Sequence, residues 1–420
     1  MDKQVFAAIE INGGEVRLVV AESFNGRFNI IKVERVLCKE GYVNVYESEH
    51  LVVEAIKKAV NNASRCIGVQ IQRVLLCVPS IGFTRFPLRV KADLEESGGR
   101  VTTIDIFHTI TKATKSFTQP KKILVNTMIS KYYCDGISTR KMPLNEKVDE
   151  LFLDVDLLSG DRDVCFHYVK MIEASGLEIL DIFFDNFALC KEANIFERTL
   201  GNKVLLIKFE RETITFSLVS NGRLLTSKII DSGLSAWFNR LSEKYEIDQQ
   251  TAARLIKYNV ALDKTLHKKS PVYIWSKASH THTLSEEDIF EAILPELNET
   301  VSLIKEAAEA MMDDAGLSIE ISGEGAELQG FNYYLNKLLS INVQNYIPET
   351  LGVRYGSLAA VMGCLYAYKD LAKIKGTLAC SLDLLKFQQE MQINKVDEAV
   401  MEDHTITSKF KNIFEKEKRS

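Results

Sequence analysis

One order of elements occurs twice in this sequence: strand, tight turn, strand, Asn-Gly-Arg, strand. It is written first as VFAAIEINGGEVRLVVAESFNGRFNIIKV and again, near the middle, as KVLLIKFERETITFSLVSNGRLLTSKII. Asn25-Gly26-Arg27 and Asn221-Gly222-Arg223 mark the hairpin turns, because Asn-Gly accepts the positive φ that a two-residue turn demands. Helical material follows each set. After the first comes SEHLVVEAIKKAVNNASRCIG, with apolar positions 52, 56, 59, 60, 63 and 67 on one side, leading into the strand RVLLCVP. After the second come SAWFNRLSEKY, a long pattern across EEDIFEAILPELNETVSLIKEAAEAMMDDAG, the strand LSIEIS and the helix LQGFNYYLNKLL. Pro295 is expected to kink the long pattern or split it in two. The chain therefore reads as an internal duplication of a β-β-β-α-β-α unit, with a cleft between the halves.

The pattern changes between residues 84 and about 165. There the helix TTIDIFHTITKATKSF, with Thr102 as N-cap, precedes the alternating strands KILVNTMISKYYCDG and VDELFLDVDLLSG. This is a small α+β insertion in the first half. Composition suits such a multidomain chain: 420 residues, 46% hydrophobic and 26% charged, will bury substantial cores. A net charge of −5 argues against a general nucleic-acid binder, which needs a basic face for phosphates. The eight cysteines form no CxxC pair and several sit in apolar strands, so they read as core residues of a reducing compartment. No apolar run reaches the ~20 residues of a membrane span, and no signal sequence opens the chain, so a cytoplasmic protein is expected.

A duplicated unit of this kind with a nucleotide cleft is the actin-like arrangement. The stretch from KKILVNTMISKYYCDG through VDELFLDVDLLSGDRDVCFHYVKMIEASGLEILDI, then SGEGAELQGF, LGVRYGSLAAVMGCLYA and an amphipathic last segment, resembles the bacterial FtsA family in order along almost the whole chain. The resemblance implies an α/β fold of two ribonuclease-H-like halves, with an FtsA-type 1C (SHS2) insertion in the first. The implied boundaries are 1–83 for subdomain 1A, completed by about 166–195 and 353–375, and 84–165 for 1C. Subdomain 2A takes 196–231 and 316–352, subdomain 2B 232–315, a linker 376–405 and a membrane-targeting helix 406–420.

Position by position, the family's cleft is altered here. Actin-like proteins hold ATP and Mg²⁺ on two glycine-rich turns and a strand-Gly-helix turn, because glycine lets backbone N–H groups crowd an anion. The first turn, similar to DIGSSKV, is Glu10-Ile11-Asn12-Gly13-Gly14-Glu15-Val16. Glu10, Asn12, Gly13 and Gly14 are the candidates for nucleotide contact on it. The second, DIGGGTTD in the family, is Lys208-Phe209-Glu210-Arg211-Glu212-Thr213-Ile214-Thr215, without glycine and with two glutamates facing the phosphates. The adenosine turn is kept as Ser322-Gly323-Glu324-Gly325-Ala326, of which Gly323, Glu324, Gly325 and Ala326 are candidates, although a plain strand-to-helix turn uses glycines too. The family's ribose-side AERIK helix is matched by Ala252-Ala253-Arg254-Leu255-Ile256, without its acid and lysine. Weak or absent ATP binding and no hydrolysis are expected. The cleft could be open, hold nucleotide, or be filled by Phe209 and Arg211.

Other constellations carry less. His280 and His282 in SHTHT are read as solvated loop residues, not metal ligands. The acids of EKVDELFLDVD are read as the wet face of a strand. No Ser-His-Asp set, nucleophile elbow or Walker loop is present, so no catalytic residue is assigned. In the last residues, Ile406, Phe410, Ile413 and Phe414 share a helical side, flanked by Lys409, Lys411, Lys416 and Lys418. That spacing suits either a terminal helix packed on the protein or one lying in anionic headgroups; the resemblance implies the second, through Lys409, Phe410, Lys411, Ile413, Phe414 and Lys416. It also implies a peripheral protein of the plasma membrane's cytoplasmic face at the division septum. Its partners would be the tail of the tubulin-like FtsZ, docking within 232–315, other copies of itself in a filament, and later division proteins. A PilM-type pilus platform and an active ATPase or sugar kinase of the same superfamily are the alternatives.

Overall fold

The computed structural model describes residues 4–38, 48–94, 97–277, 280–311, 316–376 and 378–389. In the first half, β1 (Gln4–Asn12), β2 (Glu15–Phe24) and β3 (Arg27–Leu37) form an antiparallel meander, followed by α1 (Glu49–Ile67) and β4 (Arg73–Val78). The insertion contributes β5 (Thr84–Lys91), α2 (Thr103–Lys115), β6 (Lys122–Cys134), β7 (Ile137–Thr139) and β8 (Leu151–Asp161). The chain returns through α3 (Arg162–Ala174), β9 (Glu178–Phe184), α4 (Asp185–Glu192) and α5 (Ile195–Arg198). The second half begins with the meander β10 (Lys203–Phe209), β11 (Ile214–Ser220) and β12 (Arg223–Ile230). Then follow α6 (Leu234–Tyr245), α7 (Gln249–Asn259), β13 (Pro271–Lys277), β14 (His280–Ser285) and α8 (Glu286–Glu309). Last come β15 (Ser318–Ser322), α9 (Phe331–Leu339), β16 (Asn342–Asn345) and α10 (Ala359–Lys375).

The duplication is visible in the sheets. Their orders are β3-β2-β1-β4-β9 and β12-β11-β10-β15-β16, the same path walked twice. β1 runs antiparallel to β2 and parallel to β4, as β10 does to β11 and β15. Both Asn-Gly pairs hold the positive φ expected of them: 47° and 81° at Asn25-Gly26, 51° and 70° at Asn221-Gly222. Central strands covered on both faces show as unbroken apolar runs, and Val5 to Ile9 and Val74 to Val78 are buried throughout. Helices α4 and α10 cross where Gly363 meets the backbone of Ala188, an approach that leaves no room for a side chain.

Residues 84–161 build a separate sheet, β5-β8-β6-β7, under α2, with a core of its own around Val101, Ile106, Leu151, Leu153, Val155 and Leu157. Thr102 caps α2 in a reciprocal box with Asp105. The acids of β8 are not a wet face. Asp156 is buried and paired with Arg85 at 2.9 Å, while Asp154 is held by Arg89 at 2.7 Å and by Arg223 at 3.3 Å. Arg223 belongs to the second half's Asn-Gly-Arg turn, so Asp154 ties the insertion to the second half, as does Arg140 by donating to the Asn221 carbonyl at 3.0 Å.

Three further expectations change. α8 runs through Pro295 as one helix, because Ile289, Ile293, Leu297 and Ile304 keep one side buried in the second core and outweigh the lost backbone bond. Of the stretch read as a loop, His280–Thr283 lie on β14, paired with β13, and exposed His282 stacks on Trp275 with centroids 5.1 Å apart. The stretch after α10, read as linker from 376, is packed in part: Leu378, Leu382 and Phe387 are buried. Ser381 bridges the first sheet, its N–H donating to Val5 O at 2.9 Å and its carbonyl accepting from Gln72 and Arg73. Residues 390–420, and with them Lys409, Phe410, Lys411, Ile413, Phe414 and Lys416, lie outside the described residues.

Candidate functional site

The β1–β2 and β10–β11 turns face each other across the cleft, and what lies between them is a buried ionic network. Arg17, 1% exposed, stands on β2 opposite Glu10 of β1. Its guanidinium forks onto Glu210, just past β10, with Nη1 donating at 3.0 Å and Nη2 at 2.8 Å. The remaining donors reach Glu15 at 2.7 Å and the Ser357 carbonyl at 2.8 Å, with Glu10 and Glu324 each at 3.4 Å. From the other half, Lys208 on β10 reaches Glu10 at 2.6 Å and Asp185, the first residue of α4, at 3.0 Å. Glu324 lies on a 3₁₀ turn over Glu324–Glu327 and also accepts from Arg211 at 2.8 Å and from Lys257 of α7. Arg35 closes the outer end on Glu15.

Charge is balanced by contact, as burial requires. Burial alone would lower Lys208, but Asp185 and Glu10 more than reverse this and hold it well above an ordinary lysine. Burial would likewise lower Arg17; Glu210, Glu15 and Glu10 raise it instead. Burial pushes Glu10 and Glu324 up, and their cations prevail: Lys208 and Arg17 bring Glu10 below the usual range, and Lys257, Arg211 and Arg17 take Glu324 far below it. For Glu210 burial prevails over the Arg17 fork, and its carboxyl is shifted upward.

The candidate nucleotide residues all lie in or around this network. Glu10 is a network carboxylate, and Asn12 hydrogen-bonds it. Gly13 and Gly14 make the turn with φ of 53° and 81°, but a Cβ on Gly13 would stand 3.2 Å from the Glu212 side chain. Gly323 and Gly325 are needed for packing: a Cβ on the first would meet Phe209 O at 2.5 Å, and on the second the Phe209 ring at 2.5 Å. Ala326 lies in the second core. Of the two candidate fillers, Phe209 turns inward among Trp237 and Phe331, whereas Arg211 does reach into the cleft and pairs with Glu324.

A magnesium–nucleotide polyphosphate does not fit this set. The second turn offers phosphates carboxylates and Cβ atoms in place of converging N–H groups, and Mg²⁺ would have to displace ammonium and guanidinium groups already seated on its carboxylates. Sequence reading singled out the glutamates of the turns and, among their cations, Arg211, and missed Arg17, Lys257, the pairing of Lys208 and the acid Asp185. Arg17 in EVRLVV and Lys208 in VLLIKF each interrupt a run buried on both faces, which was the available signal. Lys257 lies one residue beyond the AARLI match. Among the described residues no group of three or more His, Cys, Asp or Glu is placed to hold a metal.

No family model matches the chain. It is similar to cell division protein FtsA of Streptococcus pneumoniae, 22% identical over 367 residues, covering 85% of this chain and 78% of the relative. The same holds for cell division protein FtsA of Bacillus subtilis, 22% identical over 390 residues and covering 89% and 86%. Among solved structures, the fold is shared with a chain of the PilM-PilN type IV pilus biogenesis complex, at TM-score 0.57 and 13% identity over 88% of this chain and 98% of that one. MreB5 of Spiroplasma citri bound to ADP matches at TM-score 0.50 and 13% identity, covering 89% and 98%.

Proposed function

We propose that this chain, a divergent homologue of the FtsA cell-division proteins with the actin-like α/β fold, is a membrane adaptor that holds FtsZ filaments to the cytoplasmic face of the plasma membrane at the septum. The observation that carries this reading is similarity to FtsA running through both halves and the insertion, not through a single motif. Residues 406–420 supply the membrane contact, with Phe410, Ile413 and Phe414 inserted and Lys409, Lys411 and Lys416 near anionic headgroups. Among the described residues no helix is long and apolar enough to cross a membrane, in keeping with peripheral attachment. So few apolar groups bind only marginally as one copy, and head-to-tail assembly raises the avidity through effective concentration. The FtsZ tail docks within 232–315, and later division proteins join the same assembly. Function then rests on binding and assembly, not on ATP turnover, in agreement with the charge pairs that occupy the cleft.

Flotation with anionic liposomes tests the reading. FtsZ is expected to float only with the full chain, and to stay behind with a chain ending at Thr405. A full chain that does not float refutes the tether and favours the platform alternative, whose fold is shared at TM-score 0.57. A full chain that floats without FtsZ leaves the tether and removes the partner.

A further inference from the structure

Glu10 and Lys208 hold matching places in the two halves. Glu10 makes the last parallel pairing of β1 with β4, opposite Cys77, and Lys208 the last pairing of β10 with β15, opposite Ser322. Two acids at these places would repel at such range and would need a cation or a ligand between them. A glutamate and a lysine attract, and they meet at 2.6 Å with both side chains buried. The second tie runs the other way, from Arg17 of the first half to Glu210 of the second.

We propose that these two crossed ion pairs are an internal clamp that holds the halves closed without any nucleotide, so that closure in this chain is constitutive. The clamp sits where a polyphosphate and its metal would bridge the turns, and both cannot occupy the cleft. Closing the halves is therefore a property of the folded chain, and ATP has no differential affinity with which to shift it. This inference goes beyond the adaptor reading and stands whether or not the chain binds membrane or FtsZ.

Hydrogen exchange of the full chain, read by mass spectrometry, tests it directly. Peptides covering 4–17 and 203–217 are expected to be strongly protected without ligand, and unchanged by millimolar ATP with Mg²⁺. Lys208→Met leaves Glu10 and Asp185 without their ammonium, and exchange in those peptides should rise by roughly a hundredfold or more while 122–134 in the insertion stays as it was. Should that variant fail to fold, Lys208→Met combined with Glu10→Gln and Asp185→Asn removes the charge without stranding a carboxylate. It should fold, with the two cleft peptides still exchanging faster than in the native chain. Slower exchange on adding ATP and Mg²⁺, or variant peptides as protected as the native ones, would overturn the clamp.

Discussion

Replacing Arg17 by methionine removes a side chain that touches Glu10, Glu15, Glu210 and Glu324 together. Methionine fills much of the volume, so the change is chiefly in charge. Stranding one buried carboxylate by deleting its partner costs about 3–5 kcal/mol. Protonation limits the loss: taking a proton at pH 7 onto an acid of ordinary pKa 4.5 costs about 3 kcal/mol, at 1.36 per unit. Lys208, Lys257 and Arg35 still neutralise Glu10, Glu324 and Glu15, which leaves Glu210 as the stranded group. The expected cost is therefore about 3–4 kcal/mol at pH 7. That lowers the melting temperature by roughly 10 °C where a half of about 200 residues unfolds as the unit, at about 2–4 °C per kcal/mol.

The pH dependence fixes the mechanism. In the variant the native state takes up a proton that the unfolded chain does not, so the deficit shrinks as pH falls, by about 1.4 kcal/mol per unit, until Glu210 of the native chain, itself shifted upward, is protonated too. Calorimetry of native chain, Arg17→Met, Glu210→Gln and the double variant at pH 7.5 and 5.5 measures both. The double variant should be less damaged than the sum of the singles by about 2 kcal/mol, since they share one pair. A shift under about 2 °C, or an equal shift at both pH values, would refute the assignment of Arg17 as the counter-ion of Glu210.

Two other outcomes follow from packing and burial. Gly363→Ala would place a Cβ 1.9 Å from Ala188 O, so α10 must lift from α4, and denaturant titration should show a loss of about 3 kcal/mol; an unchanged midpoint would mean the helices do not cross there. Glu192 is buried with one carboxyl oxygen unpartnered, and burial raises it to about 7, so the native state keeps a proton that the unfolded chain releases. Stability should then fall as pH rises from 5 to 7 and level off above, by about 3 kcal/mol in all, and Glu192→Gln should flatten that slope.

The features legible in the sequence are those set by neighbours along the chain. Asn25-Gly26 and Asn221-Gly222 declare their turns because the φ requirement is local, and Thr102 with Asp105 declares a helix start for the same reason. Elements whose cause is tertiary were hidden. β5 carries Pro87, Arg85 and Arg89, which read as a poor strand until Asp154 and Asp156 of β8 are set opposite them. Pro295 signals a break that the packing of α8 overrides, and the hairpin β13–β14 is polar enough along its His280–Thr283 half to pass for a loop.

The cleft shows the same limit in its sharpest form. Comparing motif positions one at a time counts each lost glycine and aspartate as a deficit, and by that count the site is merely damaged. The partners that make sense of the substitutions lie far along the chain: Glu10 meets Lys208 at a separation of 198 residues, and Arg17 meets Glu210 at 193. An unpaired glutamate at 210 would indeed repel phosphate, as its place on the second turn implies. Paired with Arg17 it does something else, tying one half to the other. A cation at 208 is costly in a strand buried on both faces unless an acid waits across the cleft, and Glu10 and Asp185 both do. Charge reversal at one of two matched positions turns a pair that needs a bridging ligand into a pair that needs none, and only a reading that treats the halves together can see it.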